Sequence, residues 1–349
     1  MSFAELAARS HYSFLEGAAS PKAMVVAAAR LGIEALGLCD RNGLYGAVEL
    51  THAAAEAGIR PIVGTELELS DGSRLRLLAI DHRGYRQLCR AVSWAQLAGV
   101  KGQVRVRLAA VSDDLPHTSL KEGETRPRRR PTLPPPERPA ALRPTAGPFP
   151  SGWPGLPSTT LLASGEPAAL EPADLDRCVA LAGGPRSVLV EALLRGDRRG
   201  ALRHLGRLRD CFGADRACVL LTDHLHPADT WLVEELAAVA ARAGLPVLAS
   251  ATPDHATRAD KPLLDVLTAI RHRTTLDNAA AHGLLLPNSE HRLQTEQVLR
   301  SRLRHHPDAF DTVARIAAMC SVSLDFSDVR FPGFPVPRGE TPFSMLYGL

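Results

Sequence analysis

The sequence predicts an α/β fold built on a largely parallel sheet, either open or closed into a barrel. Three observations predict it. Short apolar runs with strand character alternate with alanine-rich, amphipathic stretches of helical length. Glycines and capping residues fall where those stretches change over. The chain has 349 residues and is 45% hydrophobic, enough for one large barrel-type core or two domains.

In the first part, Ser20-Pro21 reads as a helix start, an N-cap serine followed by proline at the first helical position. The helix runs over Lys22 to Leu31 and stops at Gly32. Ile33 to Cys39 follows as an apolar strand, and Asn42-Gly43 turns the chain. Val48 to Ala57 is a second helix closed by Gly58, and Ile59 to Leu69 is the next strand. Asp71-Gly72 is a hairpin-type turn into Leu75 to Ile80, and a helix covers Tyr85 to Leu97.

In the second part, helical patterns cover Ala173 to Leu181, Val188 to Leu194, Ala201 to Phe212 and Thr230 to Ala243. Strand patterns cover Cys218 to Thr222 and Pro246 to Ser250. Helices follow at Pro262 to His272, Thr295 to Arg304 and Asp308 to Cys320. In folds of this kind the chemistry sits at the carboxyl ends of the strands. Those ends lie near Asp40, Glu66, Asp223 and Thr252.

Between the two parts the composition changes. Eleven of the 27 prolines fall between Pro127 and Pro157. Residues Lys121 to Arg143 hold seven basic and three acidic side chains, so this stretch alone exceeds the chain's net charge of +3. Such a segment cannot bury a core, and residues 111–158 are expected to be a disordered Pro/Arg-rich insertion. No apolar run reaches 18 residues, which excludes a membrane-spanning helix, and the N-terminus lacks a secretory layout. The six cysteines are scattered without a CxxC pair, as in a reduced, cytoplasmic protein. No glycine-rich nucleotide loop is present, and Ser10 and Ser13 have no triad arrangement around them.

Several stretches resemble one family. His11-Tyr12-Ser13-Phe14-Leu15-Glu16-Gly17-Ala18 is similar to the "HSxYSxLDGA" opening of the PHP (polymerase and histidinol phosphatase) domain. Cys39 to Gly46 resembles its "TDHxxLYG" motif, and Gly58 to Glu66 its "GIxPIxGxE" strand. Ala95 to Gly102 and Phe334-Pro335-Val336-Pro337 resemble the PHP region of bacterial C-family DNA polymerases, the polymerase III alpha-subunit type. The "AQLAGxKG" stretch points to the error-prone branch. The resemblance implies a distorted (β/α)7 PHP barrel, TIM-like, with a first part at 1–110 and a second part at 159–290. Residues 291–349 would then be the helical start of the polymerase region. The family's palm aspartates lie beyond this point, so the chain is expected to be an N-terminal, truncated fragment without catalytic residues.

The resemblance also implies a metal cluster, held in the family by imidazoles and carboxylates that donate lone pairs. Here the His-x-His positions are Ala7 and Arg9, with His11 lying past the strand end. The following acid is Glu16, the "TDH" pair is Asp40-Arg41, the strand glutamate is Glu66, and a further histidine is Arg74. The closing motif aligns with Thr252 to His255, with Asp254 at its histidine. Glu16, Asp40 and Glu66 are thus residual metal positions. A guanidinium has no lone pair to give but pairs with carboxylates. Arg9, Arg41 and Arg74 are therefore expected to replace the metal charge and neutralise Glu16, Asp40 and Glu66. No cofactor is expected; zinc or manganese would bind only if the degraded site still works. Asp223-His224-Leu225-His226 has the spacing of a metal-binding pair but, as a lone HxH, reads as loop histidines near Pro227; His305-His306 read as exposed, and Cys39 as a core thiol.

The resulting reading is a catalytically silent PHP region of an error-prone DNA polymerase, acting in DNA synthesis and repair. Its partners would be the polymerase core, replication or repair proteins, and DNA reached through the parent polymerase, with no membrane. Alternatives are a free-standing metal-dependent phosphoesterase, or a non-enzymatic module contacting DNA through Arg128, Arg129 and Arg130.

Overall fold

In the computed structural model, residues 3–99, 104, 106–108, 167–184, 187–324, 341 and 343–344 are described. The expected insertion, including Arg128 to Arg130, lies outside the described residues, as does the Phe334 to Pro337 motif.

Seven strands form one sheet: β1 (Ala4–Ala8), β2 (Ala35–Arg41), β3 (Arg60–Glu68), β4 (Arg74–Ala79), β7 (Cys178–Ala182), β8 (Ala217–Leu221) and β9 (Val247–Ala249), hydrogen-bonded in that order. The short strands β5 (Val106–Leu108) and β6 (Ala168–Leu170) pair separately. Neighbours in the main sheet are parallel except around β4, which is antiparallel to both β3 and β7. The Asp71-Gly72 turn causes that reversal: Gly72 takes φ 81°, and the tight connection returns β4 beside β3.

Helices α1 (Pro21–Arg30), α2 (Ala47–Ala57) and α3 (His82–Ala98) follow the early strands. They are followed by α4 (Val188–Leu194), α5 (Arg198–Phe212), α6 (Asp229–Ala243) and the hairpin of α7 (Lys261–Arg271) and α8 (Leu276–Ala281). The described helices end with α9 (Glu296–Arg302) and α10 (Asp308–Met319). Ser20 caps α1 by accepting from the Ala23 amide, with Pro21 at the first turn. Gly58 ends α2 in the left-handed conformation at φ 68°. The core is aliphatic and continuous, and α10 packs over both β9 and β1.

The sheet curls so that its edge strands meet. Glu5 of β1, 1% exposed, accepts from Ser250 Oγ at 2.5 Å, the Ala251 amide at 2.8 Å and the Ala7 amide at 2.9 Å. The Arg9 amide donates to Pro253 O at 2.9 Å. These bonds join the β1 and β9 edges in place of a ladder.

One expectation fails. The helix expected over Ala173 to Leu181 is a 3-10 turn at Pro172–Leu175 followed by β7. Every residue of β7 is buried between β4 and β8, and an unbroken apolar run does not distinguish a central strand from a buried helix. No element is expected at Ala4–Ala8 from the sequence; it is a strand because pairing with β2 satisfies its backbone.

Candidate functional site: an arginine–carboxylate cluster at the strand ends

The mouth of the sheet lies at the carboxyl ends of β1, β2 and β3. Because β4 runs in reverse, its first residues reach the same end, and Glu66 of β3 stands directly opposite Arg76, with Glu68 opposite Arg74. Side chains alternate along a strand, so Arg74 and Arg76 share one face.

Glu66 is fully buried and is the centre of the cluster. Arg9 Nη2 donates to its Oε2 at 2.7 Å, and Arg74 Nη1 donates to the same oxygen at 3.2 Å. Arg76 Nη2 lies 2.8 Å from Oε1, an ion pair at contact distance without hydrogen-bond alignment. Burial alone would raise the Glu66 pKa; Arg76, Arg9 and Arg74 outweigh it and hold the carboxyl down at about 2.

Glu16 lies on the β1–α1 loop. Arg74 grips it through two bonds, Nη1 to Oε2 at 2.7 Å and Nη2 to Oε1 at 3.0 Å. Arg41 Nη1 donates to Oε1 at 2.7 Å, Arg271 of α7 lies 3.2 Å from Oε1, and Arg9 stands 4.0 Å from Oε2. Arg9 also donates to Asp254 Oδ1 at 2.7 Å. Burial would lower the Arg9 pKa, but Glu66, Asp254 and Glu16 raise it. The loop reaches this position because Gly17 packs against the backbone of Ser10: a Cβ there would stand 2.0 Å from Ser10 O.

Asp40 departs from expectation. It is buried at the end of β2 but is not paired with arginine. It accepts from the Ser10 amide, Ser10 Oγ and Ser13 Oγ, each at 2.8 Å, and so organises the β1–α1 turn. Its carboxylate faces the serines and not the cluster, while Arg41 reaches past it to Glu16 and, at 3.5 Å, Glu68.

The histidines also depart from expectation. His224 is buried, its Nε2 lies 2.8 Å from Ala251 O, and its ring stacks on His291 with centroids 3.6 Å apart. Only His226 of the HxH pair is exposed. His306 is half-buried, with Nε2 3.3 Å from Glu234, while His305 is exposed. Burial lowers the pKa of His224, His255 and His291; for His291 burial, then His224, His255 and Arg9, bring it down to about 2. Cys39 is a buried core thiol whose pKa burial raises.

A small cavity of about 90 Å³ lies over the cluster, lined by Arg9, Glu16, Asp254, Thr268, Arg271 and His291 and roofed by leucines of α7 and the segment after α8. Guanidinium groups of Arg9, Arg41 and Arg74 therefore lie on the oxygens of Glu16 and Glu66. Among the described residues no group of three or more His, Cys, Asp or Glu side chains converges to hold a metal ion. Arg76 and Arg271 were not anticipated; the Arg74-x-Arg76 spacing on one strand was the available signal for the first.

Residues 5–121 match the PHP domain family, a span that contains Arg9, Glu16, Asp40, Arg41, Glu66, Arg74 and Arg76. Nearly the whole chain is similar to error-prone DNA polymerases. Identity is 32% with that of Mycolicibacterium paratuberculosis, over 99% of this chain and 27% of the relative. It is 31% with that of Mycobacterium tuberculosis, over 100% and 27%, and 33% with that of Nocardia farcinica, over 99% and 29%. The chain is thus similar to one part of these polymerases, and its residues 5–121 to the PHP domain family. It spans about a quarter of their length. A solved structure from Bifidobacterium adolescentis, described as a metal-dependent phosphoesterase, aligns over 72% of this chain and 87% of its own at 16% identity and a TM-score of 0.39, too distant to speak to function. The matched span includes Arg9, Arg41 and Arg74, the three arginines expected from the resemblance to stand at histidine positions. Among the described residues no helix is long and apolar enough to cross a membrane.

Proposed function

We propose that this chain is the PHP region of an error-prone DNA polymerase and acts as a metal-free scaffold. In that role it supports template-directed DNA synthesis by a polymerase core during cytoplasmic DNA repair and translesion synthesis, with DNA and that core as its partners. One observation carries the metal-free part: the buried Glu66 carboxylate is already compensated by Arg9, Arg74 and Arg76. A divalent metal does not fit this donor set. Guanidinium nitrogens offer no lone pair, and a cation added among five arginines would be repelled. The pocket therefore has no means of generating a metal-bound nucleophile, and Arg9, Arg41 and Arg74 act as fixed counter-charges for Glu16, Glu66, Glu68 and Asp254.

Elemental analysis of the purified full chain tests this. Zinc and manganese should stay below about 0.1 per chain, and a chelator should leave the melting temperature unchanged. Stoichiometric metal that survives dialysis, together with manganese-stimulated phosphoester hydrolysis, would overturn the scaffold reading.

A further inference from the structure

An open groove of about 300 Å³ lies between the last turn of α1 and the two segments that follow His255 and His291. Its floor is apolar, with Ala27 and Leu31 on one side and Ala256 and Leu293 on the other. Its rim carries three guanidiniums, Arg30, Arg258 and Arg292, and among the described residues no carboxylate lines it. The far wall is fixed by the backbone. His255 and Arg292 form a parallel bridge, the Asp254 amide donates to His291 O at 2.8 Å, and Ala256 and Leu293 are buried.

The charge around this groove is unbalanced, unlike that of the strand-end cluster. Glu290 lies 2.6 Å from Arg302 of α9, 2.9 Å from Arg258 and 3.8 Å from Arg292, so one carboxylate answers three guanidiniums. Asp260, two residues beyond Arg258, is turned back on Thr257, accepting from its amide at 2.7 Å and its hydroxyl at 3.0 Å. Arg292 Nη1 donates to the neighbouring Leu293 O at 3.0 Å, and its Nε is buried without a hydrogen-bond partner. Burial lowers the Arg292 pKa, and Arg258 and Arg302 lower it against the opposing pull of Glu290. A half-buried cation with an unmet donor favours a ligand that brings an anion. An inorganic anion would answer the charge and leave the apolar floor in water. An apolar side chain flanked by carboxylates answers both.

We propose that this groove docks an acidic segment of a partner polypeptide, with an apolar side chain on the floor and flanking carboxylates on Arg30, Arg258 and Arg292. This goes beyond the scaffold reading and is independent of whether the strand-end cluster holds a metal. Fluorescence anisotropy on the full chain tests it, with a labelled, amidated Asp-Glu-Leu-Leu-Glu-Asp peptide as the probe. Binding should saturate below about 1 mM and weaken as salt is raised. Arg30→Glu and Arg258→Glu, both at exposed positions, should each weaken it about fivefold without lowering the melting temperature. A peptide with serine in place of both leucines should bind about tenfold more weakly. No saturable binding up to about 1 mM, or binding indifferent to both charge reversals, would overturn the proposal. So would a serine peptide that binds as well as its parent, or a single-stranded oligothymidylate that binds more tightly with the same arginine dependence, since either would assign the groove to anions in general or to a phosphate backbone.

Discussion

Replacing Glu66 by glutamine tests the charge cluster most directly. The side chain is fully buried, and Arg9, Arg76 and Arg74 lie 2.7, 2.8 and 3.2 Å from its oxygens. Those partners depress its pKa from 4.5 to about 2, a difference on the order of 3 kcal/mol of stability at neutral pH. The sign follows from the depression. The contribution is complete above the unfolded value of 4.5 and is lost as pH falls through 4.5 toward 2. Glu66→Gln removes the anion and leaves its guanidinium partners under-compensated in a buried site, at a cost of about 3–5 kcal/mol at pH 7. Urea unfolding at pH 7 and pH 3 measures it. The gap between the two proteins should narrow by about 2 kcal/mol on acidification, because the unfolded carboxyl is then largely protonated. Adding Arg76→Met, directly opposite in the sheet, should recover part of the loss. A cost below about 1 kcal/mol at pH 7, or a gap that does not change with pH, would refute the reasoning.

Other consequences can be measured on the same material. Gly17→Ala would drive a Cβ into Ser10 O, and because the atoms it meets are backbone it should destabilise by about 3 kcal/mol or more in the same unfolding assay. Arg271→Ala removes the contact between α7 and Glu16; exchange over residues 261–286 should accelerate while global stability falls by less than about 1 kcal/mol, since the side chain is partly exposed.

Local signals made much of the fold legible. Ser20-Pro21, Gly58 and Asp71-Gly72 each impose a backbone geometry on a few neighbours, and the structure uses all three. What escaped was set by distant partners. β1 is a strand because β2 runs beside it, and β7 is a strand because β4 and β8 bury both of its faces. At the site, residues 9, 41 and 74 could be read as non-ligating, but their partners could not. Asp40 was assigned a guanidinium, whereas its carboxylate is spent on Ser10 and Ser13. Arg271 lies 255 positions beyond Glu16, and no periodicity connects them.

The same geometry explains why arginine suits these positions better than an apolar side chain. Curling the sheet brings Glu16, Glu66 and Asp254 to one end of it, within reach of Arg9, and mutual repulsion in a buried site would unfold it without cations. A divalent ion would answer that with charge at a single point. Here five guanidiniums, from β2, β4, α7 and the residue after β1, answer it with charge spread over planar groups, and Arg74 spans two of the carboxylates. Such groups satisfy the oxygens through fixed bonds and leave no open coordination position. The outcome is a mouth whose electrostatics are closed, with Glu5 closing the seam below it through hydrogen bonds alone. Burial raises the Glu5 pKa despite its three donors, so its contribution is largest at acid pH and falls as pH rises above 4.5, opposite in sign to that of Glu66. The buried carboxylates of β1 and β3 therefore respond to pH in opposite directions, and the Glu66→Gln profile is informative because it isolates one of them.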